Sequence, residues 1–210
     1  RVLNVFGRHT APTVVEELLR YETDPPSRRT EACVMFLDVR GFTGFAEQAQ
    51  PEEVVDYLNA FFAHTTDAVT SRGGIVHQLL GDGFLAVLGA QIAHEDDCAR
   101  AVDAALDIVD RVEREWAEGR LRSTLVGIGI HAGEVIAGTV GSAQHKEYKI
   151  TGDVVNGAAR IEQLCKEHDA KVLVSESVWN RIIDKPDNFE SLGPVEVRGR
   201  SEPLELLKLA

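Results

Sequence analysis

Two apolar-rich runs, Ile75-Val76-His77-Gln78-Leu79-Leu80 and Phe84-Leu85-Ala86-Val87-Leu88, flank the tripeptide Gly81-Asp82-Gly83. Asp and Gly accept the positive φ of a tight turn, so the pattern reads as a β-hairpin. A chain that contains it must build a sheet around it. A further apolar run, Val34-Met35-Phe36-Leu37, ends at Asp38 and leads into Val39-Arg40-Gly41-Phe42-Thr43. If these strands are neighbours, Asp38 and Asp82 project two carboxylates from one end of the sheet. Hard divalent cations bound to a nucleoside triphosphate suit such a pair, because Mg²⁺ takes few protein carboxylates and completes its shell with water and phosphate oxygens. Taken singly, each acid has a simpler reading: Asp82 as a turn residue and Asp38 as a helix cap.

Periodicity orders the remaining elements. Val14, Val15, Leu18 and Leu19 follow Pro12 at helical spacing, and the polar stretch 21–30, with Pro25-Pro26, reads as a linker. The expected organisation is a lead-in helix and linker over 1–30 and one compact domain over 31–210. Within that domain 32–38 reads as a buried strand. Residues 51–71 form a helix whose apolar face is Val54, Val55, Leu58, Phe61, Phe62, Ala68 and Val69. A longer helix over 94–118 has the stripe Ala101, Val102, Ala105, Leu106, Val109, Val112 and Trp116. Residues 125–131 and 135–140 read as a strand pair turning at Ala132-Gly133. A helix over 152–168, a strand over 171–174, a Ser175-capped helix to 183 and short strands over 190–197 and 204–209 complete the chain. The order β-α-β-β-α-β with C-terminal αβ additions predicts an α+β fold, a ferredoxin-like split βαββαβ sheet with helices on one face.

Composition narrows the function classes. A formal net charge of −12 argues against a nucleic-acid surface. It leaves mononucleotide binding open, because cations and a few local Arg or Lys neutralise a triphosphate. No apolar run approaches bilayer-spanning length. Without an initiator Met or a signal-peptide core, the chain reads as a piece of a longer protein. Cys33, Cys98 and Cys165 are scattered, without metal-ligand spacing, and read as reduced, buried thiols of a cytoplasmic domain.

Val34-x-Phe36-x-Asp38-Val39-Arg40-Gly41-Phe42-Thr43, Leu80-Gly81-Asp82-Gly83 and Gly152-Asp153-Val154-Val155-Asn156-Gly157-Ala158-Ala159-Arg160 resemble, in order, the motifs of the class III nucleotidyl cyclase catalytic domain of bacterial type. The resemblance runs from about residue 28 to the C-terminus. The lead-in Phe6-Gly7-Arg8 with Val14 to Leu19 resembles the segment that follows sensory or membrane modules in many bacterial members. An upstream regulatory or membrane module is therefore expected, and with it a domain that is cytoplasmic even if the parent is membrane-anchored.

The resemblance implies that Asp38 and Asp82, with the Val39 carbonyl, hold two Mg²⁺ or Mn²⁺ ions. It implies that backbone N–H groups of the segment Arg40 to Thr43, with Gly41, Phe42 and Thr43 as the binding residues, meet the phosphates. Asn156 and Arg160 are spaced i,i+4 on one helix face, where family members orient the ribose and stabilise charge at the α-phosphate. Without the resemblance, that face would read as solvated, with Arg160 paired to an acid such as Glu162. Arg198 matches a basic residue that contacts the terminal phosphates, or is a surface Arg on an edge strand. The family architecture also implies a head-to-tail homodimer with shared sites, the aspartates coming from one chain and Asn156, Arg160 and the base-reading residues from the other.

Base selection departs from the family pattern. The reading positions fall on Gln78 and Lys149, where adenylate cyclases carry Lys and Asp or Thr/Ser, and guanylate cyclases Glu and Cys. Lys149 on adenine N1 with Gln78 accepting from N6 serves ATP. Lys149 on guanine O6 with Gln78 accepting from N1–H serves GTP. The sequence reading favours an adenylate cyclase making cyclic AMP and pyrophosphate from ATP. A guanylate or dual-specificity cyclase and a catalytically silent nucleotide-binding signalling dimer stand as alternatives. His77, beside Gln78, is expected on the opposite strand face and without a catalytic role.

Overall fold

A computed structural model describes residues 26–91, 93–142 and 146–210. The expected lead-in helix, including Phe6-Gly7-Arg8 and Val14 to Leu19, lies outside the described residues. In chain order the elements are β1 (Arg28–Val39), α1 (Phe42–Ala46), α2 (Pro51–Thr70), β2 (Ile75–Leu80), β3 (Gly83–Leu88), α3 (Asp97–Ala117), β4 (Val126–Gly141), β5 (Lys146–Thr151), α4 (Asp153–Glu167), β6 (Val172–Ser175), α5 (Glu176–Trp179), β7 (Glu190–Val195) and β8 (Leu204–Lys208). They build one eight-stranded sheet of order β2-β3-β1-β4-β6-β8-β7, with β5 on β4. Its first half, β2-β3-β1-β4 with β1 antiparallel to both neighbours, is the expected split βαββαβ core.

The helices cover both faces of the sheet, not one. On β1, Cys33, Met35, Leu37 and Val39 pack into the layer of α2 and α3, with Phe61, Val69, Ala101, Ala105 and Ile108. Ala32 and Val34 point the other way and share a second cluster with Val154 and Ala158 of α4. A strand without a polar face must be covered twice, and the run from Ala32 to Leu37 already lacks one.

Four local expectations are corrected. Ala132-Gly133 does not turn: β4 is one 16-residue strand, held extended because Ala132 and Gly133 pair with Cys33 and Ala32 of a β1 that starts at Arg28. The hairpin partner of its second half is β5, which pairs from Ile136↔Thr151 to Gly141↔Lys146. Trp116 and Val55 are exposed, and Ala104, Ile108 and Glu115 are buried on α3 instead. The helix after Ser175 stops at Trp179, and the Ser175 hydroxyl accepts no capping bond from its first turn; it bonds His131 Nδ1 at 2.7 Å instead.

At Gly129 the side-chain layer between α4 and β4 gives way to direct backbone contact. A Cβ on Gly129 would lie 2.2 Å from the Glu162 backbone N and 2.6 Å from the Ala158 O, and one on Gly127 would lie 2.7 Å from Glu162 Oε1. Gly129→Ala is therefore expected to force α4 off the sheet and to destabilise the domain by about 1–3 kcal/mol. A chemical denaturation midpoint unchanged from wild type would refute that packing.

Candidate functional site

Asp38 and Asp82 meet because β1 and β3 approach each other more closely than side chains allow. Leu37 pairs with Phe84, and Gly83 stands next to this pair. A Cβ on Gly83 would lie 2.0 Å from the Leu37 O and 3.0 Å from the Asp38 Cα. Asp82 occupies the turn between Leu80 and Gly83, entered through Gly81 at φ 69°. Both carboxyls are half-buried. Burial, then the Asp82 charge, push the Asp38 carboxyl up to about 6, against a lowering from the Val39 amide. Burial likewise raises Asp82, opposed by its own amide and that of Val39.

A third carboxyl, absent from the sequence reading as a site residue, lies within electrostatic reach of them. Glu162 of α4 is raised to about 7 by burial and by the Asp38 and Asp82 charges, with Arg40 partly compensating. Sequence spacing offered no signal for it, since its proximity depends on the glycine contact between α4 and β4. It does not pair with Arg160: among the described residues Arg160 has no carboxylate partner, and its guanidinium lies against Gly199, where a Cβ would be 3.0 Å from Nη2.

The segment after Asp38 is braced on its own side. The Arg40 amide donates to the Leu125 O at 2.8 Å, so it is spent and does not serve an anion, contrary to expectation. The Arg40 guanidinium donates to the carbonyls of Cys165 (2.9 Å) and Ala170. Gly41, at φ 72°, reverses the chain into α1, a conformation that favours glycine. Phe42 stacks on Tyr57 at 6.1 Å between centroids and Phe45 meets the same ring edge-on at 5.4 Å, which fixes α1 with Gly41 and Thr43 exposed at its start.

Asn156 and Arg160 lie on the outer side of α4, Asn156 exposed and Arg160 half-buried. Arg198 is exposed in a turn, not on an edge strand: the Arg200 N donates to the Val197 O at 3.0 Å, and Gly199 has φ 74°. Arg200 anchors that turn through Asp153 at 2.9 Å and His131 Nε2 at 3.4 Å. Burial, then the Arg200 charge, lower His131 to about 4, so its ring is neutral and accepts from the guanidinium. The turn thus brings Arg198 into the neighbourhood of Arg160 on α4.

Gln78 is exposed on β2, and Lys149 on β5 is half-buried with its Nζ 3.0 Å from Glu147 Oε2. A bulge at His77 breaks the pairing between Val76↔Ala86 and Gln78↔Leu85, so simple alternation cannot place His77 opposite Gln78. Burial lowers His77, and the Lys149 charge lowers it further while Glu147 raises it.

Among the described residues no three His, Cys, Asp or Glu side chains converge as a metal cage. Asp38 and Asp82 are instead a pair of half-buried carboxyls, both raised chiefly by burial, and two carboxylates suit a cation that brings its own water and phosphate ligands. No helix among the described residues is long and apolar enough to cross a membrane.

The comparisons agree with this geometry. Residues 25–207 match the family model of the adenylate and guanylate cyclase catalytic domain. The uncharacterized protein Rv1318c of Mycobacterium tuberculosis is 34% identical over 209 residues, 99% of this chain and 38% of that protein. The chain thus spans well under half the length of that relative. The adenylyl cyclase CyaB from P. aeruginosa superposes with a TM-score of 0.79 at 24% identity, covering 89% of this chain and 96% of that one. The guanylyl cyclase Cya2 superposes with a TM-score of 0.77 at 28% identity, covering 89% and 94%. The chain belongs to the class III adenylate and guanylate cyclase catalytic domain family.

Proposed function

We propose that the domain is an adenylate cyclase, converting ATP to 3′,5′-cyclic AMP and pyrophosphate at sites shared between two copies of the chain. The observation that carries this reading is the enforced pair of Asp38 and Asp82, both half-buried and raised chiefly by burial, with Glu162 raised nearby. Asp38 and Asp82, with the Val39 carbonyl, would hold two Mg²⁺ or Mn²⁺ ions. Such ions, when bound, acidify the ribose 3′-hydroxyl and neutralise the triphosphate. Exposed backbone N–H groups from Gly41 to Thr43 meet phosphate oxygens, and Arg198 takes the terminal ones. Asn156 orients the ribose, and the fork of Arg160 stabilises charge developing at the α-phosphate.

The helix supports a shared site. Glu162 turns toward the aspartates of its own chain, and Arg160 lies about 200° away around the helix. Asn156 and Arg160 therefore face away from those aspartates, and a second copy supplies them. Base reading falls to Gln78 and Lys149. Lys149 can keep its pair with Glu147 and still donate to adenine N1, while Gln78 accepts from N6. Glu147 itself favours a second reading: turned to the base, it accepts from guanine N1–H and makes a guanylate cyclase.

Product formation from ATP and GTP in parallel, with Mn²⁺ and Asp82→Asn as the blank, tests the assignment. Cyclic AMP well above the blank is expected; mainly cyclic GMP establishes the guanylate reading, and neither product from folded dimer removes both. Arg160→Ala is expected to lower kcat by about 10²–10³-fold. Mixed with Asp38→Ala, it should regain part of the wild-type rate, because one site of each mixed dimer is intact. No recovery after proven subunit exchange excludes shared sites.

The raised Asp38 pKa gives a signed pH effect. Without metal, the folded chain holds this proton between about pH 4 and 6, where the unfolded chain has lost it. The resulting stability is complete below about pH 4 and is lost as pH rises through about 6. Asp38→Asn should match wild type in melting temperature at pH 4 and exceed it increasingly toward neutrality. Mn²⁺ at neutral pH should raise the wild type and leave Asp38→Asn much less affected. Parallel pH curves for the two proteins would contradict this electrostatic account.

A further inference from the structure

Cys33 and Cys98, far apart in sequence, meet on the side of the sheet away from α4. Cys33 lies on β1 with 1% exposure, and Cys98 lies in the first turn of the 21-residue α3 with 4%. The two thiols belong to one buried cluster and each acts on the other's proton affinity. They line one cavity of about 120 Å³, together with Glu31, His94, Asp97 and Arg181. Glu95 and Arg181 also line a cleft of about 490 Å³ between the start of α3 and the chain after α5. A small solute therefore has room beside the sulfurs, since one water occupies roughly 30 Å³ of liquid.

We propose that Cys33 and Cys98 form a dithiol site that hydrogen peroxide oxidises to an intramolecular disulfide. The two thiols differ in a way that assigns their roles. Cys98 is lowered by Cys33 and by Arg181, against the cost of burial and the Asp97 charge. A helix start adds to the same effect. Cys33 is raised by Cys98 and by burial. Arg181 is itself held at the cavity by Glu31, at 2.7 Å.

Cys98 loses its proton and attacks one peroxide oxygen. The O–O bond breaks, Cys98 becomes a sulfenic acid, and the departing hydroxide takes up the proton as water. Cys33 then attacks the Cys98 sulfur, the S–O bond breaks, and a second water leaves with the Cys33 proton. Two thiols and one peroxide give one disulfide and two waters. Cys165 supplies an internal contrast. It is fully buried in a separate cluster under α4, donates to the Ile128 O at 3.4 Å, and is pushed by burial up to about 12.

Hydrogen peroxide titration of the native protein, followed by quenching, unfolding, thiol counting and peptide mapping, tests the site. Loss of two of the three thiols is expected, with one Cys33–Cys98 linked peptide that a dithiol reductant releases. Cys165→Ser should behave as wild type, Cys33→Ser should accumulate a dimedone-trapped sulfenic acid on Cys98, and Cys98→Ser should slow thiol loss by roughly tenfold or more. Retention of all three thiols by the folded wild type, or a linked peptide formed only after unfolding, overturns the proposal. So does a folded Cys98→Ser that is oxidised at Cys33 at the wild-type rate. The wild-type thiol count and map decide the matter even if a variant fails to fold.

Discussion

The domain is organised around two carboxyls that its sheet holds together and half-buries, away from the water that would favour their charge. Gly83 lets β3 press against the backbone of β1, and that approach holds Asp82 beside Asp38. Sheet hydrogen bonds and a buried apolar layer on each face of β1 set the distance. The carboxyls have no say in it. Their raised affinity for protons, set chiefly by burial, is the local cost, and Glu162, seated by the glycine contact of α4, is raised in turn by burial and by their charges. A site with surplus negative charge and few ligands of its own is matched to a cation that arrives with other ligands.

Strong local signals were the legible part of this fold. The hairpin at Asp82, the buried strand before Asp38 and the two long amphipathic helices all lie where periodicity placed them, within a few residues. The elements misread are those decided by distant partners. Ala132-Gly133 has turn chemistry, yet it stays extended because Cys33 and Ala32 pair with it from the far side of the sequence. Trp116 has the right spacing for the core stripe of α3, but Glu115 is buried in its place, with both carboxylate oxygens taken by the Arg120 guanidinium. The bulge at His77 has no marker in its own residues.

The candidate site divides in the same way. Asp38, Asp82, Asn156 and Arg160 stand within motifs, so their sequence context pointed to them. Glu162, Arg200 and the Cys33–Cys98 pair carry no motif. Their surroundings are made by tertiary contacts: a helix seated on glycines, a turn tied to Asp153 and His131, and a helix start laid over a central strand. Cysteines that look scattered along a chain can be neighbours in the fold, as here.

The seat of α4 on β4 has a mechanical consequence. Side chains between a helix and a sheet normally act as a compliant cushion, taking up small displacements by changing rotamer. Gly129 removes the cushion at one point, leaving backbone against backbone, and Gly127 leaves room there only for the Glu162 and Cys165 side chains. A displacement of β4 at Gly129 is then passed to α4 with little slack at that point. The helix behaves less as a layer resting on the sheet than as a lever bolted to it.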